Sequence, residues 1–433
     1  MDYWLPIIVL FGAFFFMLAL GVPIVYAIGL STLASISTQL DFNSALSVVS
    51  QKLASGLDSF TLLAIPFFIL SGNIMNHGGI ARRLINFARI LGGRLPGSLA
   101  HCNILANMLF GAISGSAVAS AAAMGGVMHP QQVKEGYDPA FSTAVNVASA
   151  PTGLLIPPSN TLIVYSLVSG GTSIAALVPG GLCSGNFAGS GTDGNSRYYR
   201  GTSRLSKART PDFTPGWRCD MDGYPQYFPD YFNYGGVLSG IFTPTEASAI
   251  AVIYTLFLAL VLYREISVKD LPKIFLESVI TTAIVLLLIG SSMGMSWAMS
   301  NADVPFLILD LLNTISDNPI IILLIINIIL LIIGTFMDMT PAVLIFTPIF
   351  LPVVTELGMD PIHFGIVMVL NMCIGICTPP VGSVLFVGCS VSKLPINKII
   401  KPMLPFYAVM VLVLAMVTYI PQISMALPRA LGY

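Results

Sequence analysis

Six apolar runs, 5–37, 57–75, 236–262, 278–299, 319–337 and 403–421, approach or exceed bilayer-spanning length. About 20 apolar residues span the hydrocarbon core as an α-helix, and lipid leaves a chain few other ways to satisfy its backbone. Charge agrees. Only 9% of the 433 residues are charged and 55% are hydrophobic, against roughly 25% charged residues in a soluble domain. The runs predict an all-α polytopic membrane protein. Net charge is −1, so nothing points to nucleic acid; the lipid bilayer is the partner that composition names. Residues 1–51 contain no Lys or Arg, and Asp2 stands where a signal peptide carries positive charge, so the first span is expected to be retained.

Charge distribution orients the chain. Arg82, Arg83, Arg89 and Arg94 fall in 78–96 with no acid, and Lys393, Lys398 and Lys401 cluster likewise. No Lys or Arg lies between Lys273 and Lys393, whereas Asp303, Asp310 and Asp317 share one polar patch. The positive-inside rule places 78–96, 264–273 and 393–401 in the cytoplasm and 301–318 outside. Four scattered histidines and six cysteines show no metal-ligand spacing, so no cofactor or metal beyond a coupling ion is expected.

An internal repeat runs through the chain. Residues 136–166 align without a gap on 358–388. Gly136, Asp138, Pro139, Gly153, Pro157 and Pro158 then fall on Gly358, Asp360, Pro361, Gly375, Pro379 and Pro380. The first block follows GAISGSAVASAAAMGG (111–126), in which 13 of 16 residues are Gly, Ala or Ser; the second follows GTFMDMTPAVLIFTPIFLP (334–352). Two halves on one plan are the mark of a secondary transporter. The expected domains are 1–178, with a re-entrant hairpin near 105–127 and a broken helix near 140–175, and 236–433, with a hairpin near 320–355 and a broken helix near 362–390.

Proline lacks an N–H and clashes with the carbonyl four residues back. Pro157 and Pro158 should therefore free the carbonyls of Gly153 and Leu154, and Pro379 and Pro380 those of Gly375 and Ile376. Freed carbonyls suit a cation. A helix restarting at Ser159-Asn160-Thr161 offers N–H groups that suit a carboxylate. Small residues around Ser114-Gly115-Ser116 allow close helix approach, and Thr335, Asp338 and Thr340 form a second polar tip. An intramembrane carboxylate such as Asp338 marks function; capping a helix start is its structural alternative. FTPTEA (242–247) reads as a capped helix start, with Thr243 or Thr245 as cap and Glu246 in the first turn.

SGSAVAS (114–120), GLLIPPSN (153–160), FTPTEA, DMTPAV (338–343) and TPPVG (378–382) resemble the large membrane subunit, of DctM type, of tripartite ATP-independent periplasmic (TRAP) transporters, over 1–178 and 234–433. The resemblance implies an elevator-type inverted repeat of the ion transporter superfamily in the bacterial inner membrane, driven by Na⁺. It implies two partners, a small TRAP membrane subunit and a periplasmic binding protein that delivers an organic acid such as sialate or a C4-dicarboxylate. It implies one Na⁺ site at Ser114, Ser116, Gly153 and Pro157, and another at Gly334, Asp338, Gly375 and Thr378. Substrate would lie between them, by Asn160, Ser159 and Thr340.

Other readings are a stand-alone Na⁺/dicarboxylate symporter, a channel, and an intramembrane serine protease using Ser114 or Ser116 with His101 or His129. Residues 179–235 depart from the family's pattern, being rich in Gly, Ser, Arg, Asp, Tyr and Pro where a spanning helix belongs. We read this segment as a compensated pair of reading-frame shifts, with a long extramembrane loop as the alternative.

Overall fold

The computed structural model describes residues 4–79, 83, 98–156, 159–181, 184–185 and 242–432. Pro157, Pro158 and most of the polar segment 179–235, with its frameshift reading, lie outside the described residues. The described residues are helical throughout, with no strand among them.

Six helices among them are long and apolar enough to cross a membrane: Phe60–His77, Pro244–Leu262, Leu271–Asn301, Pro319–Phe336, Met339–Glu356 and Ile396–Tyr419. The apolar run 5–37 is not one helix. It divides into α1 (Trp4–Ala19) and α2 (Ile24–Ile36), which pack on each other. Gly21 between them takes a positive φ of 77°, and Pro23 sets the start of α2. Next come α3 (Phe42–Leu57), capped by Asp41, and α4 (Ala64–His77).

Two helix pairs follow, one in each half of the chain. α5 (Ser98–Ser114) and α6 (Ala117–Lys134) are joined by Gly115-Ser116 alone. Farther along, α12 (Pro319–Phe336) and α13 (Met339–Glu356) are joined by Met337-Asp338. Each pair leads into an interrupted helix. The first is α7 (Pro139–Ser149), a 3-10 turn (Ala150–Leu155), and a restart as α8 (Asn160–Val168). The second is α14 (Pro361–Gly375), a turn, and a restart as α15 (Ser383–Ser392). Between the halves stand α9 (Pro244–Phe257), α10 (Leu271–Asn301) and α11 (Val304–Ile315); α16 (Ile396–Tyr419) and α17 (Gln422–Ala430) close the chain.

The repeated Gly-x-Asp-Pro is a helix-start device. Gly136 and Gly358 adopt φ of 86° and 85° as the preceding helix ends. Asp138 accepts the Ala140 N–H (3.2 Å) and Asp360 the Ile362 N–H (2.8 Å). Proline then takes the first helical position, where a missing N–H costs nothing. α9 begins with a full capping box between Thr243 and Glu246, which gives the FTPTEA motif a structural role.

The interrupted helices pack reciprocally. α13 of the second pair lies on α8, and α6 of the first pair lies on α15. α8 also touches α14, while α15 touches α7. Where the halves meet, the Cys373 thiol donates to the Pro151 carbonyl (3.4 Å), two positions 222 residues apart that the repeat alignment makes equivalent. The 31-residue α10 braces α2, α3 and α4 along the side of the molecule.

Candidate functional site

Each helix pair presses backbone against backbone on its interrupted helix. A Cβ on Gly153 would stand 2.6 Å from Gly111 Cα, and one on Gly375 would stand 2.5 Å from Gly334 Cα. Only glycine permits either approach. These contacts bring three predicted site residues, Gly153, Gly334 and Gly375, to the ends of α5 and α12. Thr378 sits in the turn after α14, its hydroxyl donating to Ile374 O (2.7 Å). The turn is tied back to α12 by the Gly382 N–H, which donates to Thr335 O (3.2 Å).

The interruptions correct one expectation. The carbonyls of Gly153 and Gly375 are not orphaned: Ile156 N donates to the first (3.1 Å) and Thr378 N to the second (2.9 Å). The fourth residue on is proline in both cases, so the third supplies the N–H and the helix tightens to a 3-10 turn. Ile376 O likewise accepts from Val384 N (3.1 Å) in the restarted helix. Each carbonyl retains one lone pair for a further ligand.

The two tips differ. In the first, Ser116 caps α6 by accepting the Ala119 N–H (3.2 Å), and Ser114 pairs loosely with the Ser116 backbone (3.4 Å). Gly115 has φ of 62°, and a Cβ there would lie 2.7 Å from Asn160 Nδ2. The amide of Asn160 thus rests on the glycine at the turn. In the second tip, Asp338 occupies the cap position of α13, yet its carboxylate accepts no capping hydrogen bond. The capping alternative for Asp338 is therefore not realised through its side chain. Asp338 Oδ atoms are left for another partner.

A cavity of about 330 Å³ joins the tips. Ser114, Ser116, Asn160, Asp338 and Thr340, all singled out from sequence, line it together. Gly153, Gly334, Gly375 and Thr378 are not among its lining residues; the three glycines form the backbone contacts at the ends of α5 and α12. Ser159, 2% exposed, does not line it either; its Oγ and the Oδ1 of Asn160 are buried with no hydrogen-bond partner among the described residues. Pro157 lies outside the described residues.

Sequence reasoning missed part of the lining. Asn73 and Asn76 of α4 and Thr281 of α10 also line the cavity. Asn73 Nδ2 donates to Ser278 Oγ (2.8 Å), which holds its carboxamide in place. The signal was present in FFILSGNIMNH: two asparagines three apart on one face of an apolar helix.

The protease constellation does not form. His129 Nδ1 pairs with Ser142 Oγ (2.9 Å), and Ser116 is committed to its cap. His101 and Ser114 are the near and far ends of one helix, about 20 Å apart along its axis.

Comparison with known proteins bears on identity. The family model described as "Tripartite ATP-independent periplasmic transporter, DctM component" matches residues 11–423. The chain is 60% identical over 427 residues to the uncharacterized protein YgiK of Salmonella typhimurium, covering 99% of this chain and 98% of that one. It is 36% identical to the sialic acid TRAP transporter large permease protein SiaM of Vibrio cholerae, covering 95% and 96%. It is 34% identical to the C4-dicarboxylate TRAP transporter large permease protein DctM of Rhodobacter capsulatus, covering 98% and 99%. Among solved structures, the Alcanivorax borkumensis YdaH transporter superposes with a TM-score of 0.60 at 14% identity, over 90% of both chains, a likeness of fold. With its apolar helices and its match along nearly the whole length, the chain belongs to the DctM family, as a multi-pass large permease subunit of a TRAP transporter in the bacterial inner membrane.

Proposed function

We propose that the protein carries a small organic acid across the inner membrane, coupled to Na⁺ entry, as an elevator-type inverted repeat. Substrate arrives from a periplasmic binding protein, and a small membrane subunit completes the assembly. One observation carries this reading: a single cavity gathers both helix-pair tips and the restart of α8, with Asp338 the one charged residue among the described residues that line it. Reciprocal packing of α13 on α8 and α6 on α15 supports the paired halves.

One Na⁺ is assigned to Ser114, Ser116, Gly153 and Pro157, where spare carbonyl lone pairs and hydroxyls supply the oxygen ligands a hard cation takes. The other is assigned to Gly334, Asp338, Gly375 and Thr378, where the uncapped carboxylate supplies the charge. Filling both sites would fix the two tips against the interrupted helices. The acid then binds between them at Asn160 and Thr340, with Ser159 behind. A carboxylate there meets the positive end of α8 and the field of both ions, so ions and substrate favour one another's binding.

Uptake of radiolabelled sialate and C4-dicarboxylates into liposomes holding the large and small subunits tests the reading. Transport is expected only with an inward Na⁺ gradient and the matching binding protein. Na⁺-driven transport without the binding protein would favour a stand-alone symporter. Gradient-independent, non-saturating flux would favour a channel.

A further inference from the structure

The part of the cavity lining outside the tips and the interrupted helices has a chemistry of its own. Asn73 and Asn76 come from one face of α4, and Thr281 comes from α10. Neither helix belongs to the tips or the interrupted helices. Asn73 is held by Ser278, whose own hydroxyl donates to Ile274 O (2.8 Å). The carboxamide therefore spends one N–H on the scaffold and keeps its oxygen and second N–H for the cavity. Asn160, Thr340 and Asp338 line the same cavity. Apart from that one carboxylate, the described lining side chains are neutral.

We propose that Asn73, Asn76 and Thr281 form a hydroxyl-reading wall that selects polyhydroxylated monocarboxylic acids over dicarboxylic acids of the same length. The assignment rests on the proposed transport reading, which puts the substrate carboxylate near Asn160. A carboxamide both donates and accepts, and a sugar-acid hydroxyl does the same, so Asn and Thr side chains match such groups one to one. A second carboxylate placed against this wall gains no cation and loses its water, which is costly for a charge left without a partner. An alkyl chain there leaves the amides unpaired, and sites built to hydrogen-bond reject analogues that cannot. A cavity of about 330 Å³ is of the size that takes a small-molecule ligand.

The test uses three six-carbon acids that differ only in these features: D-gluconate, adipate and hexanoate, with N-acetylneuraminate as a larger hydroxylated acid. Binding to the purified complex of large and small subunits is read in Na⁺ by ligand-induced thermal shift titration. Gluconate or N-acetylneuraminate should bind at least about tenfold tighter than adipate, the effect of one or two net hydrogen bonds. Asn76→Ala and Asn73→Ala should each weaken the hydroxylated acid about tenfold while hexanoate, which leaves the amides unpaired, binds as tightly or tighter. Retained hexanoate binding separates recognition from misfolding. Adipate binding as tightly as gluconate, or variants that weaken all acids alike, overturns the wall while leaving Na⁺-coupled transport standing. Binding of none of the four acids overturns the wall, and the uptake assay then decides Na⁺-coupled transport by itself.

Discussion

At the scale of single residues, the structure separates side chains that hold the fold from one that does not. Ser116 and Thr243 cap helices; Asp338 stands in a cap position without making the bond. Asp338→Asn should therefore leave the thermal midpoint nearly unchanged while abolishing Na⁺-dependent uptake, a divergence read by unfolding and transport assays on one preparation. Gly375→Ala should instead lower the thermal midpoint, because a new Cβ meets Gly334 Cα at 2.5 Å and backbone cannot retreat. Overpacking of this kind costs about 1–3 kcal/mol. Gly126 on α6 supplies the control, since a methyl group added there would meet nothing within 4 Å; Gly126→Ala should be neutral or stabilise by up to about 1 kcal/mol. Both appear as shifts of thermal midpoint in detergent. Asp338 and Asn160 were legible in the sequence because a polar residue in an apolar run has few structural excuses. Gly111 was not, since its reason for being glycine is Gly153, forty-two residues on, and no local pattern encodes that meeting.

Among elements, legibility follows locality. Gly-x-Asp-Pro announces a turn, a cap and a first helical proline, all within four residues, and both copies fold that way. The prolines announce the interruptions. What sequence could not supply was the fate of the carbonyls, because the i+3 N–H groups that claim Gly153 O and Gly375 O depend on how the turn tightens. Thr243→Ala, which removes half of the capping box, should cost about 1 kcal/mol and fray the start of α9. The polar segment 179–235 invites a separate check. Resequencing the gene across it should reveal two compensating frame shifts; an uninterrupted frame would make the segment a genuine loop.

For the whole molecule, α10 sets the scale. Its 31 residues extend about 46 Å, beyond the ~30 Å hydrocarbon core, which is long enough to put its ends in opposite compartments. Single cysteines placed at Lys269 and Asp317 should react with an impermeant thiol reagent from opposite sides, the first from the cytoplasm and the second from the periplasm. Labelling of both from one side would overturn the orientation assigned from charge. Membrane residence and helical class followed from composition and apolar run length, which are global properties. The α4 wall of the cavity did not, because it comes from a helix outside the repeated blocks, and only tertiary structure brings Asn73 to the same cavity as Asn160.

Reciprocal packing also has a cost in time. The Tyr165 hydroxyl donates to Pro361 O (2.6 Å), 196 residues later in the chain. At about 5–20 residues per second of synthesis, α8 waits roughly 10–40 s in the membrane before the helices that cover it exist. Throughout that interval the restart at Asn160 lacks the α13 and α14 contacts that cover it in the finished fold. The first half cannot finish folding until the second half has been made.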